Sequence, residues 1–360
     1  MSLKNLQSLS VRFFSRFRHL MAMMRSWIED RPSLAAWFFP EHSAETEYRL
    51  YNGRMFADLF EQERMLADQP RMAFYHQLIN RHIKAGDRVV DLGTGTGILA
   101  ALAARQGAGH VYAIDHSEIL TQARTLAAAN HVENVEFIAT HSSRFKTQEP
   151  VDVILHEQMG DCLFDEGMVA NVADLRDRVL KPGGLILPSL FEFHCEPVML
   201  DDLRFVPFIW DLNVHGYDYS SLEGHRPEDP NYYRQVGGDR ELVDHFLCEP
   251  MPAFSFDLHT VREAELSRDL TFTRRVVRAG RLDGYAIYFR ARAGELSLTT
   301  DPTDPHRAPH WGYRILRTDR EDYEVGDEIE TRLAVDRWSD LDSWRWHSHK
   351  RVATGPVNKL

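Results

Sequence analysis

Cysteine is scarce. Cys162, Cys195 and Cys248 are the three in 360 residues, and they form no CxxC. A disulfide framework and the common zinc sites are therefore not expected, no metal is predicted, and a reducing, cytoplasmic setting fits. No apolar run comes near the ~18 residues of a membrane span, so no membrane partner is expected. The first 28 residues hold no acid, yet "LMAMM" is too short for a secretory core. Lysine is sparse beside arginine. Net positive charge is lacking too: the formal charge is −12. An acidic surface disfavours nonspecific nucleic-acid binding and favours basic partners. Internal repeats and low-complexity tracts are missing as well.

What is present is globular in kind, 43% hydrophobic and 27% charged, with length for two domains. Residues 1–47 read as an amphipathic helix and a linker. Leu3, Leu6, Phe13, Phe14, Phe17, Leu20, Met21, Met24 and Ile28 approximate one helical face beside Arg12, Arg16, Arg18 and Arg25. Such a helix packs on its own fold or on a partner subunit; a transit peptide is the competing reading. "FEQERMLADQPRMAFYHQLINRHI" predicts two helices broken near Pro70. Then "RVVDLGTGTGILAALAARQGAGHVYAIDHS" predicts a strand, a Gly-rich turn, a helix and a strand. "NVEFIATHSS" and "VDVILHEQ" read as strands, "ANVADLRDRVL" as a helix, and "KPGGLILPS" as a turn and a strand. Alternating strands and helices imply an α/β, doubly wound parallel sheet over 48–188.

After Pro188 the pattern turns to alternating and β-branched segments: "LFEFHCEPVML", "PAFSFDLHTV", "RDLTFTRRVV", "YAIYFRARA", "ELSLTT" and "EIETRLAV". Residues 189–360 thus read as a β-rich barrel or sandwich. A long aromatic insertion projects from it at about 200–242.

Asp91-Leu92-Gly93-Thr94-Gly95-Thr96-Gly97 lies between a predicted strand and helix. Glycine lets the backbone turn sharply and approach a ligand without a Cβ in the way. Gly95 to Ala100 also satisfies GxGxxG/A, the dinucleotide fingerprint, with Asp115 twenty residues on. S-adenosyl-L-methionine suits the unit better than NAD. Asp91 at the strand end is better placed for an ammonium or for loop hydrogen bonds than beside a pyrophosphate, and Asp115 can accept both ribose hydroxyls. A short acidic segment, "HEQMGDCLFDEGM", follows the fourth predicted strand. Its glutamates, Glu157 and Glu166, are either solvated charges or a cation site. His306 and His310 have metal-like spacing, but Ala308-Pro309 argues against a helix there.

That segment resembles the double-glutamate loop of the protein arginine N-methyltransferase family. "RMLADQPR" is similar to its N-terminal helix, "LKPGGLILPS" to the end of its nucleotide domain, "IWDLNVHGYDYSSL" to its dimerisation arm, and "PHWGYRIL" to its Thr-His-Trp loop, with Pro309 at the threonine position. The resemblance runs from about residue 50 to 335. It implies a Rossmann-like S-adenosylmethionine-binding domain followed by a β-barrel-like domain with an inserted dimerisation arm, and a homodimer. Glu157 and Glu166 would clamp the substrate guanidinium, and Arg71 would pair with the donor's carboxylate. Asp91, Gly93, Thr94, Gly95 and Gly97 would cradle its amino-acid part. Asp115, with His116 beside it, would bind the ribose, and Ser142 falls where the family places a glutamate for the adenine. Asp68 would pair with His310, next to Trp311. Met65 and Met168 match methionines that flank the pocket in asymmetrically dimethylating members. The pattern departs where tyrosines are expected before "ML": Asn52 and Phe56 stand there, with Tyr48 and Tyr51 nearby. The implied substrate is arginine in a protein or peptide. A small guanidino compound, a natural-product peptide and a noncatalytic donor-binding scaffold are the alternatives. Retention of Glu157, Glu166, Arg71 and Asp115 together argues against the scaffold.

Overall fold

The computed structural model describes residues 57–237 and 242–351. The expected N-terminal helix, Tyr48, Tyr51, Asn52 and Phe56 lie outside the described residues. The chain divides into two units, Met1–Asp58 and Leu59–Leu360, and every element below belongs to the second.

Helix α1 (Leu59–Ala67) stops at Asp68 and α2 (Gln69–His82) starts there. Asp68 is the N-cap: its Oδ1 accepts the Arg71 backbone N–H at 2.9 Å. Pro70 occupies the first turn, where a missing N–H costs nothing. Arg81 and His82 sit at the negative end of the helix.

Five parallel strands follow: β1 (Arg88–Leu92), β2 (His110–Asp115), β3 (Val135–Ala139), β4 (Val151–His156) and β5 (Leu180–Leu187). Helices α3 (Ile98–Gln106), α4 (Leu120–Ala129) and α5 (Met168–Val179) alternate with them. The strand order is β3-β2-β1-β4-β5. The winding therefore reverses between β1 and β4, and loops leaving their carboxyl ends open onto one crevice, the usual ligand position in such sheets. Leu92 pairs with both Ile114 and His156, so the Gly-rich turn, Asp115 and the acidic segment leave the sheet at one level. Buried Met168, Val169, Val172, Leu175 and Val179 give α5 the single apolar face that seats it. The turn expected at "KPGG" lies inside β5. There the pairing with β4 slips between Val151 and Val153, and Gly183 takes a φ of 74°; the extra residues form a bulge, not a loop.

The second half is antiparallel. Its strands are β6 (Leu190–Leu200), β7 (Asn213–Val214), β8 (Tyr217–Asp218), β9 (Arg234–Gly237), β10 (Val243–Phe246), β11 (Phe254–Asp257), β12 (Asp269–Arg275), β13 (Gly280–Ala293), β14 (Leu296–Thr299), β15 (Tyr313–Tyr323), β16 (Glu328–Val335) and β17 (Trp344–Arg351). Strands β12, β16 and β17 make one sheet, β7 and β8 a hairpin within the projecting insertion, and the rest a second, larger sheet. Strands β7, β8, β9, β10, β15 and β17 are additions to the strands expected from the sequence. No helix among the described residues is long and apolar enough to cross a membrane.

One aromatic cluster joins the acidic segment to this half. Phe164, 3% exposed, lies 4.7 Å from Trp338, 5.7 Å from Phe193 and 5.7 Å from Phe256, measured between ring centres. Aromatic pairs at such distances add to the stabilisation from burial. Phe164→Ala is expected to cost about 3–5 kcal/mol of stability, read as a lower midpoint in urea. Leu126→Ala, at a 45% exposed position, should leave that midpoint almost unchanged.

Candidate active site

The Gly-rich turn is held from below by the sheet. Gly93 and Thr94 both donate backbone N–H groups to the Ile114 carbonyl, at 3.0 and 3.1 Å. Gly93, Gly95 and Gly97 have φ values of 72°, 54° and 84°, a region that other residues reach only with strain. A Cβ on Gly95 would stand 3.0 Å from the Gln62 Oε1. Asp91, 1% exposed, accepts from the Thr94 hydroxyl at 2.6 Å and the Ala100 N–H at 3.0 Å, both through Oδ2. Its Oδ1 is buried without a partner. Burial raises this carboxyl's pKa to about 6, despite the opposing bonds from Thr94 and Ala100.

Asp115 ends β2 with both oxygens engaged. Oδ2 accepts the Gly95 N–H at 3.0 Å, and Oδ1 accepts the N–H and hydroxyl of Ser117 at 2.8 and 2.7 Å. The exposed His116 ring lies 5.8 Å from His141. Ser142 is buried and starts a short 3₁₀ turn, its carbonyl accepting from Arg178 Nη2 at 2.8 Å.

Arg71 lies on the first turn of α2 and is 4% exposed. Its Nη2 is 3.1 Å from Glu157 Oε2, its Nη1 donates to the Met65 carbonyl at 2.9 Å, and its Nε is buried without an acceptor. The rings of Tyr75 and Trp311 lie 5.8 and 5.9 Å from its guanidinium carbon. Burial lowers the Arg71 pKa, but the Glu157 carboxylate, with Tyr75 and Asp68, outweighs it, and the net direction is upward. Buried Tyr75 donates its hydroxyl to the His156 carbonyl at 3.0 Å, fixing the residue before Glu157.

The acidic segment is a folded loop. Asp161 pairs with Arg314 Nη2 at 2.6 Å, Asp165 accepts the Cys162 N–H at 3.2 Å, and Leu163 takes a φ of 73°. A Cβ on Gly160 would fall 2.1 Å from Asp165 Oδ1. Burial raises the carboxyl pKa of Glu157, against the pull of Arg71. Burial together with the Glu157 charge raises that of Glu166 well above the usual range. The Glu166 carboxylate has no hydrogen bond or ion pair among the described residues. Met65 and Met168 are both buried.

The contact between Asp68 and His310 runs through the backbone. Asp68 Oδ2 accepts the His310 N–H at 2.9 Å, while the buried ring Nδ1 has no partner. Desolvation, then the charges of Arg71 and Arg64, push the His310 pKa down to about 3, so the ring is neutral. Trp311 is 4% exposed and meets Phe289 edge-on at 5.4 Å. No group of three or more His, Cys, Asp or Glu side chains among the described residues is arranged to hold a metal. Tyr75, Gln62, Phe164, Asp161 and Arg314 join the site without having been singled out in the sequence. Arg314 is 153 residues from Asp161, a separation that carries no local signal.

Comparison with known proteins decides the family. The family described as "Methyltransferase domain" matches residues 83–202. Protein arginine N-methyltransferase PRMT10 of Oryza sativa subsp. japonica is 32% identical over 314 residues, covering 78% of this chain and 81% of the relative. The chain belongs to the protein arginine N-methyltransferase family. Protein arginine N-methyltransferase 2 of Xenopus tropicalis is 31% identical, covering 79% of this chain and 67% of the relative. Among solved structures, Arabidopsis thaliana protein arginine methyltransferase 10, in an open conformation, aligns with a TM-score of 0.70 and 24% identity, over 84% of this chain and 96% of that one. A Trypanosoma brucei PRMT1 enzyme–prozyme heterotetramer with AdoHcy aligns with a TM-score of 0.70 and 26% identity, over 83% and 95%.

Asp91 offers a test of this site in the free protein. Its folded pKa of about 6 exceeds the ordinary 3.8, so ionisation weighs against the fold as pH rises from about 4 through 6, by roughly 3 kcal/mol at most. Asp91→Asn removes that charge. The melting temperature of the variant minus that of the parent should be more positive at pH 8 than at pH 4.5, read by differential scanning fluorimetry.

Proposed function

We propose that the chain transfers a methyl group from S-adenosyl-L-methionine to a guanidinium nitrogen of arginine in a protein or peptide, with Glu157 and Glu166 holding the acceptor. The observation that carries this reading is a loop with two partly buried carboxylates at the switch point of a parallel sheet, beside a Gly-rich turn. The residues present fit the donor. Asp91 Oδ1 is a buried acceptor without a partner, suited to an ammonium, and three left-handed glycines leave room for a close approach. Arg71 would hold the donor's carboxylate; Gly93, Thr94, Gly95 and Gly97 its amino-acid part; Asp115, His116 and Ser142 its nucleoside. The donor supplies an electrophilic methyl group on a cationic sulfonium.

The chain's own residues handle the charge. A guanidinium stays protonated in water and is a poor nucleophile. Glu157 and Glu166 accept hydrogen bonds from its planar fork, aim one nitrogen, and offset the repulsion between two cations in a partly dry site. Alignment of the reacting atoms contributes further. As the new N–C bond forms at the expense of the donor's S–CH3 bond, whose electron pair stays on sulfur, that nitrogen must lose a proton. Glu166 is the better acceptor, because its pKa is raised well above the usual range and no partner among the described residues competes for it. His310 suits the task poorly: its pKa is about 3 and its ring does not touch Asp68. Trp311 and Met168 would wall the acceptor pocket. Met65 offers its carbonyl to Arg71.

In the free chain Arg71 is spent on Glu157. A donor carboxylate at Arg71 would release Glu157 to take the guanidinium, so donor binding precedes acceptor binding in this reading. The insertion between β6 and β9 carries exposed apolar side chains, with Leu203, Tyr217 and Val206 at 96%, 76% and 63% exposure. Cover by a second copy, in a cytoplasmic homodimer, fits that surface.

Glu157→Gln and Glu166→Gln should each lower kcat/KM on an arginine-rich peptide by about 100-fold or more, roughly 3 kcal/mol. Methylarginine is to be measured after hydrolysis of the peptide; label appearing only in free arginine would favour a small guanidino substrate. Substrate affinity should rise with pH through the Glu166 pKa, since the cation prefers the ionised carboxylate, and Glu166→Gln should flatten that rise. Calorimetric titration across pH reads both.

A further inference from the structure

The insertion meets β15 and β17 around a cavity of about 620 Å³, remote in sequence from the glutamate loop and lined by Phe208, Tyr233, Arg317, Trp346 and His347 among others. That volume falls in the range of small-molecule sites. Arg317 is its unusual member. The side chain is 9% exposed and forms no ion pair among the described residues. Nη1 donates to the Tyr232 carbonyl at 3.0 Å, while Nε and Nη2 are buried with no acceptor among the described residues. The indole Nε1 of Trp344, in the same wall, also lacks one.

Among the neighbouring cations, Arg226 pairs with Asp319 at 2.9 Å and Glu223 at 3.0 Å, and Arg320 lies 3.4 Å from Asp283, although its Nε is also buried without a hydrogen bond. The Arg317 guanidinium instead stacks on Phe208, 3.9 Å from the ring centre, with Tyr232 at 5.4 Å. Stacking offsets part of the cost of burying the charge. It satisfies none of the N–H groups, and an unpaired buried cation is unfavourable. Nε and Nη2 form one edge of the guanidinium, the edge that grips a carboxylate or phosphate with two parallel hydrogen bonds.

We propose that this cavity is a second ligand site, distinct from the glutamate loop, that takes a small planar anion: an aromatic body lying among Phe208, Tyr233 and Trp346, with a carboxylate or phosphate bound by Arg317. Solvent does not reach Nε and Nη2 in the free chain, so capture includes a turn of the guanidinium along the Phe208 face toward the anion. The concave shape favours a small molecule over an acidic side chain from another protein.

Isothermal titration of the full chain with phenylacetate, phenyl phosphate, inorganic phosphate and the neutral phenylacetamide tests this. At least one aromatic anion should bind saturably below about 1 mM, and at least tenfold tighter than phenylacetamide or inorganic phosphate. Whichever of phenylacetate and phenyl phosphate binds more tightly names the head group. Saturating S-adenosylhomocysteine should leave the binding unchanged. Arg317→Met should abolish it and keep or raise the melting temperature, since it removes an unpaired buried charge, while Arg317→Lys should retain part of it. Should Arg317→Met fail to fold, Arg317→Lys and the comparison with phenylacetamide decide. The proposal is overturned if neither aromatic anion binds below about 10 mM, if phenylacetamide binds equally, or if S-adenosylhomocysteine displaces the probe. It is also overturned if Arg317→Met binds as well as the parent. Sedimentation of Arg317→Met as a monomer where the parent is a dimer would assign the charge to a subunit contact and overturn it too.

Discussion

Carboxylates repel one another, and in one short loop Glu157, Asp161, Asp165 and Glu166 are crowded together while partly removed from water. Left alone, such a loop would open into solvent or take up protons. Much of the surrounding structure acts to prevent the first. Arg71 meets Glu157 from the helix side, Arg314 meets Asp161 from β15, and Phe164 sits in the aromatic cluster with Trp338. The second is tolerated in part: burial shifts all four carboxyls upward, Glu166 well above the usual range.

The same logic of withheld partners recurs beside the loop. Among the described residues, Asp91 keeps one oxygen unbonded at the end of β1, and Arg71 keeps Nε unbonded on α2. Buried polar atoms without partners are rare because they are costly. Other such atoms lie far from the Gly-rich turn, among them those of Arg317 and Trp344 beside the insertion.

The parallel half was legible because its signals are local. The Gly-rich turn, the apolar strands and Asp68-Gln69-Pro70 each announce an element within a few residues. The antiparallel half was legible only in part. Strand β15 reads "YRILRTDREDY" and β17 reads "WRWHSHKR"; their charged and polar faces hide the alternation that buries Ile315 and Trp344. At "KPGG" the turn residues were visible but their use was not, because a bulge needs the same left-handed glycine as a turn. In the site, the residue types were readable; Arg71 pairs with Glu157, and the Glu157 charge acts on Glu166. The partners were not readable. Asp161 with Arg314, and Phe164 with Trp338, join positions more than a hundred residues apart, and nothing in either stretch alone indicates the other.

Asp68 divides one carboxylate between two backbone N–H groups, capping α2 through Oδ1 and receiving His310 through Oδ2. The start of the helix that carries Arg71 is thereby measured against a loop from the other half of the chain. The two halves are not exchangeable parts. A chimera that joins this parallel sheet to a relative's antiparallel half inherits a correct Arg71 position only if the donated loop presents a free N–H at the same height.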